Sequence, residues 1–106
     1  MSRIDMLKQF LRENENDSFS RYALALEYVK SGQMQDARQT FETVLDKDPA
    51  YLATYYQLGQ LYQKLSMRHE AERTFRAGIT LAAKQGDTHT KEELEAALET
   101  LLLTDN

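Results

Sequence analysis

Cysteine is absent from the 106 residues, which excludes a disulfide framework and any thiolate metal site. That absence sits easily with a reducing, cytoplasmic setting. Proline occurs once, at Pro49, and glycine four times, so little interrupts helix formation. Positive charge is in deficit: 13 Lys and Arg stand against 17 Asp and Glu, a net charge of −4. A phosphate backbone wants a basic face, so nucleic acid is not the expected partner. No apolar run approaches the length of a membrane span, and no membrane association is expected. The opening Met-Ser-Arg-Ile-Asp-Met-Leu-Lys carries charge throughout and is unlike a secretory signal. With 42% hydrophobic and 28% charged residues, the composition is that of an ordinary soluble domain, taken as one unit over 1–106.

What is present is a helical pattern that repeats. Between Leu52 and Ala83, Tyr55, Leu58, Gly59 and Tyr62 share one face of a first helix. Ala71, Phe75 and Ile79 recur at intervals of four on a second, after the polar break Lys64–Arg68. Gly59 and Ala71 are small enough to let two antiparallel helices approach where they meet, with Tyr62 and Phe75 filling the flanks. Thirty-four positions earlier, Leu24, Ala25 and Tyr28 occupy the places of Leu58, Gly59 and Tyr62. Ala37, Thr40, Phe41 and Lys30 likewise match Ala71, Thr74, Phe75 and Lys64. So many matches at one offset make an internal repeat.

These residues resemble the tetratricopeptide repeat, whose period is 34 and whose pattern is Trp-x2-Leu-Gly-x2-Tyr, Ala-x3-Phe and Pro. The second copy departs from it at Tyr55 and Ala83; the first has Arg21 and Ala25 but keeps Pro49. The resemblance implies an all-α, helical-repeat fold: a right-handed superhelix of antiparallel helix pairs, here about six helices. Repeat 1 is placed at 18–51 and repeat 2 at 52–85. A flanking helix at 3–13 carries Ile4, Leu7, Phe10 and Leu11 and covers the open side of repeat 1. Within repeat 1, helices are expected at 18–30 and 34–45, the first capped by Asn16, Asp17 or Ser18, the second ended by Asp46–Pro49. The second helix of repeat 2 should reach about Lys84. From Asp87 the 34-residue register is lost, because Glu92 and Glu93 fall where Leu and a small residue should recur. A capping helix at 89–103 is still expected, with Thr90–Glu93 as a capping box and Leu94, Ala97, Leu98, Leu101 and Leu102 as its apolar stripe.

Catalytic chemistry finds little support. His69 is placed in a break between helices and His89 in a loop; His69-Glu70-Ala71-Glu72-Arg73 lacks the second histidine of a zinc-protease motif. No catalytic residue, metal ligand or cofactor is expected. The resemblance instead implies a scaffold or adaptor that binds another protein or a peptide along the first helices of its repeats. Turned a quarter from the core face are Phe19, Tyr22, Leu26, Val29 and Lys30 in repeat 1, and Ala53, Tyr56, Gln60, Gln63 and Lys64 in repeat 2. Tyrosines offer flat apolar area with a polar tip, and the two lysines could hold a carboxylate. Family members that clamp a chaperone's terminal Glu-Glu-Val-Asp use a Lys and Asn pair, where this chain has Tyr22 and Leu26. Two readings compete with an open groove. In one, Phe19, Leu26 and Val29 pack against the first helix or a closing helix folded back over them. In the other, the chain is a structural unit that self-associates, since Leu101-Leu102-Leu103 cannot all face one core. A basic stretch from Lys64 to Lys84 beside an acidic 87–106 suggests pairing between neighbouring helices, or a patch for an acidic partner.

Overall fold

The computed structural model describes residues 1–104, which form six helices and, among the described residues, no strand. In chain order they are α1 (Arg3–Glu13), α2 (Ser18–Lys30), α3 (Met34–Lys47), α4 (Ala53–Lys64), α5 (Arg68–Gln85) and α6 (Thr88–Leu103). They divide into two compact units, the first ending at Tyr51 and the second beginning at Leu52. Each half of the chain thus builds a core of its own.

In the first unit α2 packs against both α1 and α3. α1 begins at a capping box: the Asp5 amide donates to Ser2 Oγ at 3.1 Å, and the Ser2 amide donates to the Asp5 carboxylate. Leu11 is buried and Ile4 and Leu7 are half-buried, but Phe10, expected on the same side, is 43% exposed. Adjacent helical residues diverge by about 100°, so a face centred on Leu7 and Leu11 turns Phe10 outward. An ion pair of 3.1 Å between Arg3 and Glu27 joins α1 to α2. Asp17 is the residue that caps α2, accepting from the Ser20 amide at 3.0 Å.

The core of this unit is Leu24, Ala25 and Tyr28 from α2 against Ala37, Phe41 and Val44 from α3. Full burial of a phenylalanine such as Phe41, which is 0% exposed, contributes about 1.5–3 kcal/mol. α3 continues two residues beyond Leu45, because only Asp48, directly before Pro49, is barred from helical backbone. Ser18 Oγ donates to Asp48 Oδ2 at 2.7 Å, tying the start of α2 to the end of α3.

In the second unit α5 packs against α4 and α6, and α6 also meets α4. The ring of Phe75 lies directly over Gly59. A Cβ on Gly59 would fall 2.6 Å from Phe75 Cδ1. Along α5 the buried positions are Ala71, Phe75, Gly78 and Ala82, so the stripe passes through Gly78 and leaves Ile79 half-buried. A strict interval of four drifts off the face of a helix with 3.6 residues per turn. At Gly78 both neighbours press on α5, with Tyr55 Cβ and Leu94 Cδ1 at 2.7 and 2.9 Å from where its own Cβ would be.

α6 starts earlier than the Thr90–Glu93 motif suggests. Asp87 is its N-cap, accepting from the Thr90 amide at 3.0 Å and the Thr90 hydroxyl at 2.8 Å. A short polar side chain placed three residues ahead wins the cap, and Thr90 becomes part of the first turn. Leu94, Leu98 and Leu101 are buried, Ala97 is half-buried and Leu102, expected in the stripe, is 47% exposed.

Candidate functional site: the α4–α6 trough

None of the ten residues expected to face a groove is buried. In the first unit they behave unequally. Phe19 is 68% exposed and so does not pack into a core, contrary to the reading that buried it. Leu26 and Val29 are half-buried. Tyr22 leans on Phe41 and Tyr51, with ring centroids 5.9 and 5.5 Å apart and tilted planes, so it belongs as much to the packing as to the surface. Tyr51 lies near Asp17 and Asp48, and burial followed by these two carboxylates pushes its phenol above the usual value. Lys30 is exposed beside a shallow hollow that it shares with Arg3, Ile4 and Glu27.

In the second unit the structure brings three of the five together. Tyr56, Gln60 and Gln63, one helical turn apart along α4, line one wall of a cavity of about 360 Å³. The opposite wall is α6, through Glu93, Ala96, Ala97 and Thr100. Ala53 and Lys64 are exposed but lie off this cavity. A second cavity of about 410 Å³ adjoins at Gln63, which lines both, and is closed by Ser66, Arg68, Leu101 and Thr104. The two make one trough running along α4 and α6.

The α6 wall is what reading the sequence missed. The failure of the 34-residue register there points only to a capping helix. A further shift of two restores the register, since Leu94 and Leu98 then stand where Leu58 and Tyr62 recur. α6 therefore packs beside α4 on α5, as the first helix of another repeat would, and is not folded across Tyr56.

Charges on α5 and α6 pair within their own helices. Arg76 meets Glu72 at 3.0 Å and Arg73 meets Glu70 at 3.8 Å on α5; Lys91 meets Glu95 at 3.2 Å on α6. The expected pairing between the basic and acidic helices is not among these contacts. Such exposed pairs stabilise little. His69 and His89 lie in the first turns of α5 and α6, not in connecting loops. No group of three or more candidate metal ligands occurs among the described residues. Among them, too, no helix is long and apolar enough to cross a membrane.

Comparison with known proteins agrees with the repeat. Residues 25–66 match the family model described as TPR repeat, and residues 52–85 match the one described as tetratricopeptide repeat. A tetratricopeptide repeat domain protein from Salinibacter ruber, solved by NMR, is 36% identical, with 85% of this chain covering 92% of that one at a TM-score of 0.80. A TPR repeat-containing protein of Pseudomonas aeruginosa is 24% identical, the match covering 92% of this chain and 93% of that protein. The TPR2B domain of yeast Sti1, solved in a complex with pHsp70, shares the fold at a TM-score of 0.85, with 14% identity, 92% of this chain and 78% of that one. Repeats of this kind are in general protein–protein interaction modules and typically non-enzymatic scaffolds. This chain belongs to the tetratricopeptide repeat family.

Proposed function

We propose that the chain is a non-enzymatic adaptor that binds a peptide or a partner's helix in the trough between α4 and α6. The observation that carries this reading is the alignment of Tyr56, Gln60 and Gln63 along one cavity wall. Tyr56 supplies a flat ring for apolar contact, and the two glutamines supply donors and acceptors for a peptide backbone. Ala96 and Ala97 keep the facing wall low, leaving room for a main chain. The corresponding surface of α2, with Phe19, Tyr22, Leu26, Val29 and Lys30, is the candidate binding face of the first unit. That the Sti1 domain was solved with pHsp70 gives the same class of ligand, a protein segment. A cytoplasmic adaptor fits these properties. Affinity capture from the native lysate tests the reading: Tyr56→Ala should lose a partner that the wild type retains while keeping its helical content. An unchanged set of retained proteins would contradict it.

A second reading, self-association, rests on Leu102 and Leu103, which are 47% and 79% exposed at the end of α6. It requires the wild type to be dimeric at concentrations where Leu103→Lys is monomeric. A wild type that sediments as a monomer at high concentration removes it.

A further inference from the structure

We infer that a second copy of this chain docks head to tail, laying its α1 on the free flank of α6 so that the two helices complete one repeat. The inference rests on the self-association reading above and gives it a direction. Of the six large apolar side chains left exposed among the described residues, Met1, Met6 and Phe10 lie in or just before α1, and Leu102 and Leu103 at the end of α6. Only Phe19 lies elsewhere. The repeat register accounts for both open ends. Two periods before α5, Arg3, Leu7 and Phe10 stand where Ala71, Phe75 and Gly78 recur. α1 is thus a second helix with no first helix ahead of it among the described residues. With the shift of two, Glu95 stands where Gly59 recurs, so α6 is a first helix with no second helix after it among those residues.

The two open flanks complement each other. On α6 the flank turned away from the trough carries Glu92, Glu95, Glu99 and Leu102, all exposed and on one side of the helix. On α1, Arg3, Met6, Phe10 and Glu13 follow the same spacing and are exposed too. Within the second repeat, Phe75 covers Gly59 and Tyr55 Cβ stands beside Gly78. Carried onto the joint between copies, that geometry sets Leu7 against Glu95 and Phe10 against the stem of Lys91. Antiparallel packing then brings Arg3 to Glu99 and Glu13 to Lys91, opposite charges at both ends. Where the second repeat has the small residues Gly59 and Ala71, the joint has Glu95 and Arg3, long side chains of opposite sign. Arg3 bonds Glu27 through Nε, and its guanidinium carries further donors for a carboxylate. The exposed Lys91–Glu95 pair stabilises little and exchanges readily. Such a contact joins two different patches, so a docked pair keeps one α1 and one α6 free for further copies. The trough stays open, because its α6 wall is the opposite side, through Glu93, Ala96, Ala97 and Thr100.

The test sediments the full chain over a concentration series, with circular dichroism to confirm folding. It compares wild type, an α1 variant (Met6→Glu with Phe10→Glu) and an α6 variant (Glu95→Arg with Leu102→Lys). Wild type should grow in mass with concentration, and each variant alone should stay a single chain. An equimolar mixture of the two variants should form a one-to-one pair and go no further, since each supplies the face that the other lacks. If the α1 variant associates as wild type does, self-association stands and the head-to-tail contact is overturned. Two folded variants that stay monomeric when mixed overturn it as well. A wild type that is a single chain at every concentration would remove self-association itself. The cysteine-free sequence allows a second measurement that does not depend on those variants. Phe10→Cys mixed with Lys91→Cys should give the mixed disulfide about tenfold over either homodimer, because docking raises the effective concentration of that pair alone. Mixed and homodimeric disulfides in statistical yield would contradict the pairing.

Discussion

Phe75 lies over the bare backbone of Gly59, so closely that a methyl group at Gly59 would overlap the ring. Phe75 is 0% exposed and has no free direction in which to retreat. Gly59→Ala should therefore destabilise the second unit. Overpacking costs about 1–3 kcal/mol, and the better helix propensity of alanine offsets at most about 1 kcal/mol of it. In the first unit the same position in the repeat is Ala25, also 0% exposed. Ala25→Gly should also destabilise, there by opening a void and weakening the helix. Thermal melts of the two variants check both signs; a rise in either Tm would contradict this account of the packing.

Ser66 and Gly32 close the same kind of turn, 34 residues apart, with left-handed φ values of 62° and 80°. The hydrogen bonds repeat as well: Gln33 N–H donates to Tyr28 O at 2.9 Å, and Met67 N–H to Tyr62 O at 2.8 Å. Glycine adopts this backbone freely and serine does not. Ser66→Gly should raise stability by about 1 kcal/mol, read as a higher midpoint of urea unfolding.

Thr54 is 0% exposed, and its hydroxyl has no hydrogen-bond partner among the described residues. A buried hydroxyl left unpaired costs about 1–3 kcal/mol. Thr54→Val keeps the shape and removes the polar atom, so it should raise the Tm. An unchanged or lowered Tm would mean that the hydroxyl finds a partner in solution.

Two groups with shifted titration give stability a dependence on pH. Asp87 is held below the usual carboxylate value, first by the Thr90 amide and then by the Thr90 hydroxyl, with a smaller contribution from His89. Its contribution is present above the ordinary aspartate value of about 3.9 and is lost as pH falls through the lowered folded value. Amide exchange at the start of α6 should accelerate in that acid range, and Asp87→Asn, which still caps when uncharged, should flatten the dependence. Tyr51 works in the opposite direction. Its raised value gives stability that is full below about 10 and lost as pH rises through the folded value.

The repeat and its two pairs of helices were legible in the sequence because each helix carries its own apolar period. Local chemistry of nearly equal strength was harder to rank. Asp87 and Thr90 both read as caps for α6, and only the observed hydrogen bonds show that Asp87 prevails. Positions that depend on two neighbours at once were invisible: nothing near Gly78 announces that Tyr55 and Leu94 converge on it. The candidate site was half legible for the same reason. Tyr56, Gln60 and Gln63 follow from the quarter turn off the α4 core, but Arg68 and the α6 wall join them only through packing.

Binding at the trough is tested most directly by comparing Tyr56→Ala with wild type in partner capture, with circular dichroism on both. Tyr56 is half-buried and lines the cavity, whereas Tyr22 also supports Phe41, so Tyr56 is the cleaner probe. Loss of the captured partner with helical content and Tm preserved is the predicted result. Capture unchanged by a folded Tyr56→Ala variant would contradict the assignment of this face as the binding site.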